Sequence, residues 1–281
     1  MKSQWDALLE NLGAWEGSFT RLSPQGEAIA DMPTQVSLEA INDRQTIRQT
    51  IRRYAPDAQD QVTPQDQVLE YSSLGRGVLL FENGAFSQGS TQLGPFSEFG
   101  AEFGFIAGDR RLRLVPLYDR QSQLSQITLI REKRSGTDAP DRPPLTLEAL
   151  LGTWEGEATT LYPDWRSPDS APTQLTLIQL AGDRLQQTLT FGAPPTTLTS
   201  TAEIRGQSLL FSQGSQSVQV LLLPDGASVT APTQLQMGKP CFLEAGWLLA
   251  PDLRQRMIRA YDEKGGWASL TLVTERKVAE P

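Results

Sequence analysis

The chain contains no histidine. That excludes Ser-His-Asp and Cys-His catalysis, histidine-ligated metal sites and histidine pH switches. A single cysteine, Cys241, permits neither an internal disulfide nor a multi-cysteine metal cluster. No apolar run approaches the ~18–20 residues of a membrane helix, and the longest, such as Val218–Leu223, are strand-sized. The N-terminus, Met1-Lys2-Ser3-Gln4-Trp5-Asp6, has no apolar stretch, no small-residue cleavage site and no transit-peptide composition. The expected location is the cytoplasm. No phosphate-cradling loop, dinucleotide fingerprint, calcium loop or zinc motif is present, so no cofactor and no metal are expected.

Positive charge is also scarce. There are 25 Lys and Arg against 33 Asp and Glu, a net charge of −8 that divides evenly between the two halves. Neither half is a hidden basic module, which excludes a nucleic-acid backbone as the partner. With 38% hydrophobic and 21% charged residues, the 281-residue chain is of ordinary globular composition and long enough for two domains.

What is present is a tandem repeat. Leu12-Gly13-Ala14-Trp15-Glu16-Gly17 returns as Leu151-Gly152-Thr153-Trp154-Glu155-Gly156. Gln49-Thr50-Ile51 returns as Gln187-Thr188-Leu189, and Arg76-Gly77 with Leu79-Leu80-Phe81 as Arg205-Gly206 with Leu209-Leu210-Phe211. Glu102-Phe103-Gly104-Phe105 returns as Glu244-Ala245-Gly246-Trp247, Tyr118-Asp119 as Tyr261-Asp262, and Thr128-Leu129-Ile130 as Thr271-Leu272-Val273. The drifting offset implies loop insertions and one shortening near residues 55–75. Residues 135–144 are polar and rich in Pro and Gly, which predicts domains at 1–134 and 145–281 with a linker between them.

Each repeat opens on a short helix. Trp5, Leu8, Leu9 and Leu12 fall on one helical face, with Ser3 placed to cap it; Thr146 caps the second, whose apolar side is Leu147, Leu150 and Leu151. The rest reads as short strands with turn signals every 8–12 residues. Asn83-Gly84 suits a type I′ hairpin. Tyr54–Gln67, polar and containing Pro56 and Pro64, reads as a mobile loop. The pattern predicts an all-β protein of two antiparallel barrels, each of eight or more strands.

A terminal helix, then Gly-x-Trp opening strand one of a ~140-residue barrel, resembles the lipocalin superfamily. The string Leu12–Gly26 (LGAWEGSFTRLSPQG), with Gln45–Thr50 and Leu93–Glu102 (LGPFSEFGAE), resembles a lipocalin-like family of cyanobacteria and chloroplasts long of unknown function. The likeness covers nearly the whole chain. It implies two tandem lipocalin-like β-barrels and, because one chloroplast member is a biogenesis factor for ATP synthase, a non-enzymatic scaffold that engages F1 subunits such as β or γ. The alternative it leaves open is a carrier or lyase-like binder of a small hydrophobic ligand, a tetrapyrrole, bilin or lipid.

Four groups of residues are candidates for the work. In lipocalins the Gly-x-Trp ring plugs one barrel end beneath a cation; the resemblance gives that role to Trp15 and Trp154, with Arg131, Lys133 or Arg276 to supply the charge. Glu102 with Arg113, and Glu244 with Arg256, lie on neighbouring strands, where they form either structural ion pairs or a ligand-fixing site. Glu98, Gly100, Glu102 and Gly104 share one strand face and Phe99, Ala101, Phe103 and Phe105 the other; a polar face turned inward gives a cavity and an aromatic one a dry core. Arg44, Arg48 and Arg52 recur every four residues and, on a strand, form either a solvated face or a partner-binding stripe. Cys241 is either a buried structural thiol or a chromophore attachment point that has no histidine to activate it.

Overall fold

The computed structural model describes residues 2–56 and 62–279. Helix α1 (Gln4–Leu8) continues as one 3-10 turn to Asn11. The first half then runs through β1 (Gly13–Leu22), β2 (Ala28–Ile41), β3 (Thr46–Pro56), β4 (Val62–Tyr71), β5 (Val78–Leu80), β6 (Phe86–Gly89), β7 (Phe99–Ala107), β8 (Arg110–Tyr118) and β9 (Leu124–Arg134). Helix α2 (Leu147–Leu150) opens the second half. It is followed by β10 (Gly152–Leu161), β11 (Asp169–Leu180), β12 (Arg184–Phe191), β13 (Thr196–Arg205), β14 (Ser208–Phe211), β15 (Val218–Leu222), β16 (Ala227–Pro232), β17 (Cys241–Ala250), β18 (Leu253–Tyr261) and β19 (Trp267–Lys277). No helix among the described residues is long and apolar enough to cross a membrane.

The helices begin at their side-chain caps: Ser3 Oγ accepts from Asp6 N at 3.0 Å, and Thr146 Oγ1 from Ala149 N at 3.3 Å. Each first strand then passes close to the last strand of its half. A Cβ at Gly17 would overlap the carbonyl oxygen of Arg131, and one at Gly156 that of Thr274, which explains the glycine after each Trp-Glu.

The ten strands of the second half form a closed antiparallel barrel in chain order. The nine of the first form a curled sheet, β4-β3-β2-β1-β9-β8-β7-β6-β5, open between β4 and β5. The two expected antiparallel barrels are thus present as one closed barrel and one open, curled one, and the cause of the difference is a missing strand. Tyr71 faces Ile47 as Ala202 faces Leu185, an offset of 131; Leu80 faces Phe86 as Leu222 faces Ser228, an offset of 142. The second half therefore carries 11 more residues between these points (142 − 131), and β14 lies among them. The repeat match of Leu79–Phe81 to Leu209–Phe211 is accordingly displaced: the structure equates Leu79–Phe81 with Leu221–Leu223.

Smaller corrections follow the same logic. Most of Tyr54–Gln67 is not a loop, because β3 and β4 form a hairpin whose register continues to Pro56 and Val62; residues 57–61 lie outside the described residues. At Asn83-Gly84 only the glycine takes a positive φ, 84°, and Phe81 N donates to Ala85 O while Gly84 N donates to Phe81 O, a type I turn with a glycine bulge in place of type I′. Strand β16 (Ala227–Pro232) has no counterpart among the strands read from the sequence.

The two halves share a core. Phe99, Phe103 and Phe105 of β7 and Leu112 and Leu114 of β8 pack with Leu243, Ala245 and Trp247 of β17 and Met257 of β18 in the largest apolar cluster. Arg259 is wholly buried at this junction, donating to Ser90 O at 3.0 Å and Gly77 O at 3.3 Å, with its guanidinium 3.4 Å from the Trp267 ring centroid. Asp225, also buried, accepts from Arg110 Nη2 at 3.0 Å and from Arg142 N at 2.6 Å, which ties residues 135–144 to both halves.

Candidate functional site

Inside each sheet the same ion cluster is built twice. Arg111 and Arg113 alternate on β8 and so face one way, opposite Glu132 of β9. Arg111 grips Glu132 with Nε and Nη2 at 2.6 and 2.9 Å, and Arg113 grips the same carboxylate with Nε and Nη2 at 3.1 and 2.9 Å. Arg113 Nη1 reaches Glu102 at 2.8 Å, whose other oxygen accepts from Gln88 at 2.7 Å. In the second half Arg254 pairs with Glu275, Arg256 Nε with Glu275 at 3.0 Å, and Arg256 Nη1 with Glu244 at 3.2 Å.

The structure thus brings Glu102 to Arg113 and Glu244 to Arg256, and adds Arg111, Glu132, Arg254 and Glu275 to them. Sequence reading missed these four. A signal existed: both Arg111/Arg254 and Glu132/Glu275 sit at the offset of 143 that relates Thr128 to Thr271.

Trp15 and Trp154 have no exposed surface. Their indole N–H groups donate to the last helical turn, to Asn11 O at 3.0 Å and Leu150 O at 2.9 Å. Trp15 lies between the guanidiniums of Arg111 and Arg134, 4.6 and 4.5 Å from its ring centroid. Trp154 lies between Arg254 at 4.8 Å and Lys277 at 5.3 Å. The expected cations Arg131, Lys133 and Arg276 are not among these. Arg131 and Lys133 lie one residue from Glu132 and Arg134, which on a strand places them on the opposite face.

Electrostatics fit paired charges better than acid–base work. Burial alone would raise the Glu132 carboxyl, but Arg111 and Arg113 reverse this and hold it at about 2. Glu275 is likewise pushed up by burial and brought below its ordinary value by Arg256 and Arg254. Burial raises Glu244, with Arg256 opposing it. Cys241 faces the junction between halves, where burial lifts its thiol to about 11 and so keeps it protonated at neutral pH.

Strand β7 settles which face turns in. Glu102 lines the interior, while Phe99, Ala101, Phe103 and Phe105 turn outward into the shared core, so both faces are covered. The interior of the first half is a cavity of about 670 Å³ lined by Phe19, Val36, Ile51, Tyr71, Phe86 and Ile130 among others, with Arg111, Arg113 and Glu102 on one wall. Among the described residues no cluster of three or more Cys, Asp or Glu is placed to hold a metal ion.

Arg48 and Arg52 lie on the exposed outer face of β3 and pair with carboxylates of β4: Arg48 with Glu70 at 2.8 Å, Arg52 with Asp66 through two bonds of 2.7 Å. Arg44 does not share that strand. It sits in the preceding turn at φ 66°, its carbonyl accepting from Trp5 Nε1 at 2.7 Å.

Comparison with known proteins follows the same division. Residues 1–137 match the N-terminal domain of unknown function DUF3598, and residues 141–278 match the C-terminal domain of "Biogenesis factor required for ATP synthase 1". A crystal structure of a DUF3598-family protein of unknown function from Nostoc punctiforme is 51% identical, covers 99% of this chain and 100% of its own, and superposes with a TM-score of 0.92. The S-type phycobiliprotein lyase of Guillardia theta is 13% identical over 48% of this chain and 91% of its own, with a TM-score of 0.41. No curated protein matches.

Proposed function

The chain belongs to the DUF3598 family, and on that premise we propose that it is a cytoplasmic, non-enzymatic assembly factor that holds F1 subunits of an ATP synthase, β or γ among them, in a photosynthetic cell. The match of residues 141–278 to an ATP synthase biogenesis factor carries this reading. The fold suits the task. The halves are joined by a common apolar core and by buried polar contacts at Arg259 and Asp225, so subunits seated on each half would be held at one separation. A second contact made at fixed separation gains from high effective concentration. Interior charges are already paired, which serves stability and needs no chemistry of a substrate. We assign Arg44, Arg48 and Arg52 to the contact surface, together with the exposed rings of Phe96 and Trp165, because aromatic and arginine side chains are the usual anchors of interfaces.

The test is affinity capture by the purified chain from a photosynthetic lysate, with absorbance read on the same sample. Enrichment of F1 β or γ by a colourless bait supports the scaffold; a coloured bait without F1 subunits overturns it.

One observation favours a second reading. The cavity of about 670 Å³ in the first half is of the size that encloses a small hydrophobic ligand, such as a tetrapyrrole or a lipid. Uptake of a neutral apolar dye by the full chain, lost when the cavity is filled by Ile51→Trp, tests it.

A further inference from the structure

We infer that the cavity of the first half takes an amphiphile with a single carboxylate head, held at Arg111 Nη1, and discriminates against wholly apolar and cationic molecules. The inference rests on the second reading above and names the ligand class for it. Three observations carry it.

The first is which charges reach the cavity. Arg111 and Arg113 pair with Glu102 and Glu132, two of each sign. They do not face the interior equally. Arg111, Arg113 and Glu102 line the cavity, whereas Glu132, the carboxylate that both arginines grip, is 1% exposed and is not part of the lining. The wall therefore presents two guanidiniums and one carboxylate. Coulomb energy falls with distance, so an occupant meets a net positive wall.

The second is a surplus of donors. Arg113 spends Nε and Nη2 on Glu132 and Nη1 on Glu102. Both oxygens of Glu102 are taken, one by Arg113 and one by Gln88. Arg111 uses only one edge: Nε and Nη2 bond Glu132, and Nη1 bonds nothing among the described residues. Nη1 keeps accessible surface, because it is absent from the fully covered atoms that lack a partner. Arg111 as a whole is 3% exposed and lines the cavity, so that surface faces the interior. Two N–H groups of a guanidinium are thus free for an acceptor. The group is also held in place, by Glu132 on one edge and by the Trp15 ring 4.6 Å from its carbon. A carboxylate here gains charge-assisted bonds to a preorganised donor, which offsets its desolvation.

The third is the rest of the lining. Val36, Leu38, Ile51, Leu69 and Leu74 are apolar and suit one tail. No other cation lines the cavity, and Glu102 would repel a second negative charge, so a monoanion fits and a dianionic phosphate monoester does not. Ser73, Leu74 and Gly75 line the cavity where the sheet is open between β4 and β5, which gives a tail a way in.

The test uses the full chain and Nile red, displaced by dodecanoate, methyl dodecanoate and dodecyltrimethylammonium, each below its micelle concentration. Dodecanoate should displace the dye at roughly tenfold lower concentration than its methyl ester, as expected for hydrogen bonds to a charged group, and the ammonium should be the weakest. Arg111→Lys retains the charge opposite Glu132 but loses the second edge, and should bring acid and ester within about threefold of each other. Arg254→Lys, the same change in the second half, should leave the wild-type ratio unaltered. Failure of Nile red to bind overturns both this inference and the reading beneath it. Dye uptake with the ester as effective as the acid, or with the ammonium preferred, overturns the inference and leaves that reading standing. The wild-type ranking decides this even if Arg111→Lys does not fold; if it folds and keeps the full preference for dodecanoate, Arg111 is not the anchor and the inference fails.

Discussion

In the second half Leu222 N donates to the backbone oxygen of Gln207 at 2.8 Å, at the start of β14; in the first half the equivalent Leu80 N donates at 2.7 Å to the side chain of Gln4. Gln4 Nε2 returns a bond to Leu80 O at 2.8 Å, so one amide side chain of α1 takes over backbone positions that a strand fills elsewhere. The two halves keep the same Trp, Arg and Glu cluster and differ in how they close. The cluster is thus compatible with either a closed or an open sheet, and the strand count decides whether the interior is open. A duplicated chain can hold one copy for structure and free the other for occupancy.

The largest effects should fall on what the halves share. Glu132→Gln and Glu275→Gln each leave two buried guanidiniums short of a partner and should each cost about 3–5 kcal/mol in urea unfolding. Costs that differ between the halves by more than about 2 kcal/mol would break the equivalence of the clusters. Trp15→Ala and Trp154→Ala should cost ~3–5 kcal/mol each, as expected of buried rings that plug their sheets; unchanged melting temperatures would remove the plug role.

Acid should act on both halves together. Glu132 has a folded value of about 2 against 4.5 for the free group, so its contribution is complete above about pH 4.5 and is lost as pH falls toward the folded value. Glu275, also depressed, acts in the same direction. The melting temperature should therefore fall steeply below pH 4.5, and Glu132→Gln should flatten that slope. A slope unchanged by the substitution would contradict the assignment.

The next effect separates the halves. Gln4→Ala should cost about 1 kcal/mol and speed amide exchange at Leu80 with no change at Leu222. The smallest effect is at the surface: Arg52→Ala, an exposed pair with Asp66, should change stability by no more than about 0.5 kcal/mol while weakening capture of F1 subunits.

Much of this was legible in the residues. The duplicated Gly-x-Trp and the alternation of β7 and β8 give the fold and place Glu102 near Arg113, because period 2 assigns faces without knowledge of register. What failed did so for want of register. A cation one residue away lies on the other face of a strand, so without register the sequence does not separate Arg131 and Lys133 from Arg134, which meets the Trp15 ring. A Leu-Leu pair followed by a bulky apolar residue occurs twice in the second half, at Leu209–Phe211 and Leu221–Leu223, so the sequence alone matches the first half's triplet to either and does not reveal the missing strand. The β3–β4 hairpin reads as a loop in sequence because its support, the Arg52–Asp66 and Arg48–Glu70 pairs, exists only once the strands are side by side.

The difference in closure is tested most directly by amide hydrogen exchange on the full chain, comparing Ser72–Gly77 with Ser208–Phe211. Strand β14 is flanked by β13 and β15, so its amides should exchange only through larger openings of the barrel, whereas Ser72–Gly77, which joins no ladder, should exchange near the unprotected rate. Equal protection of the two stretches would mean that the first half is closed as well, and would contradict the account.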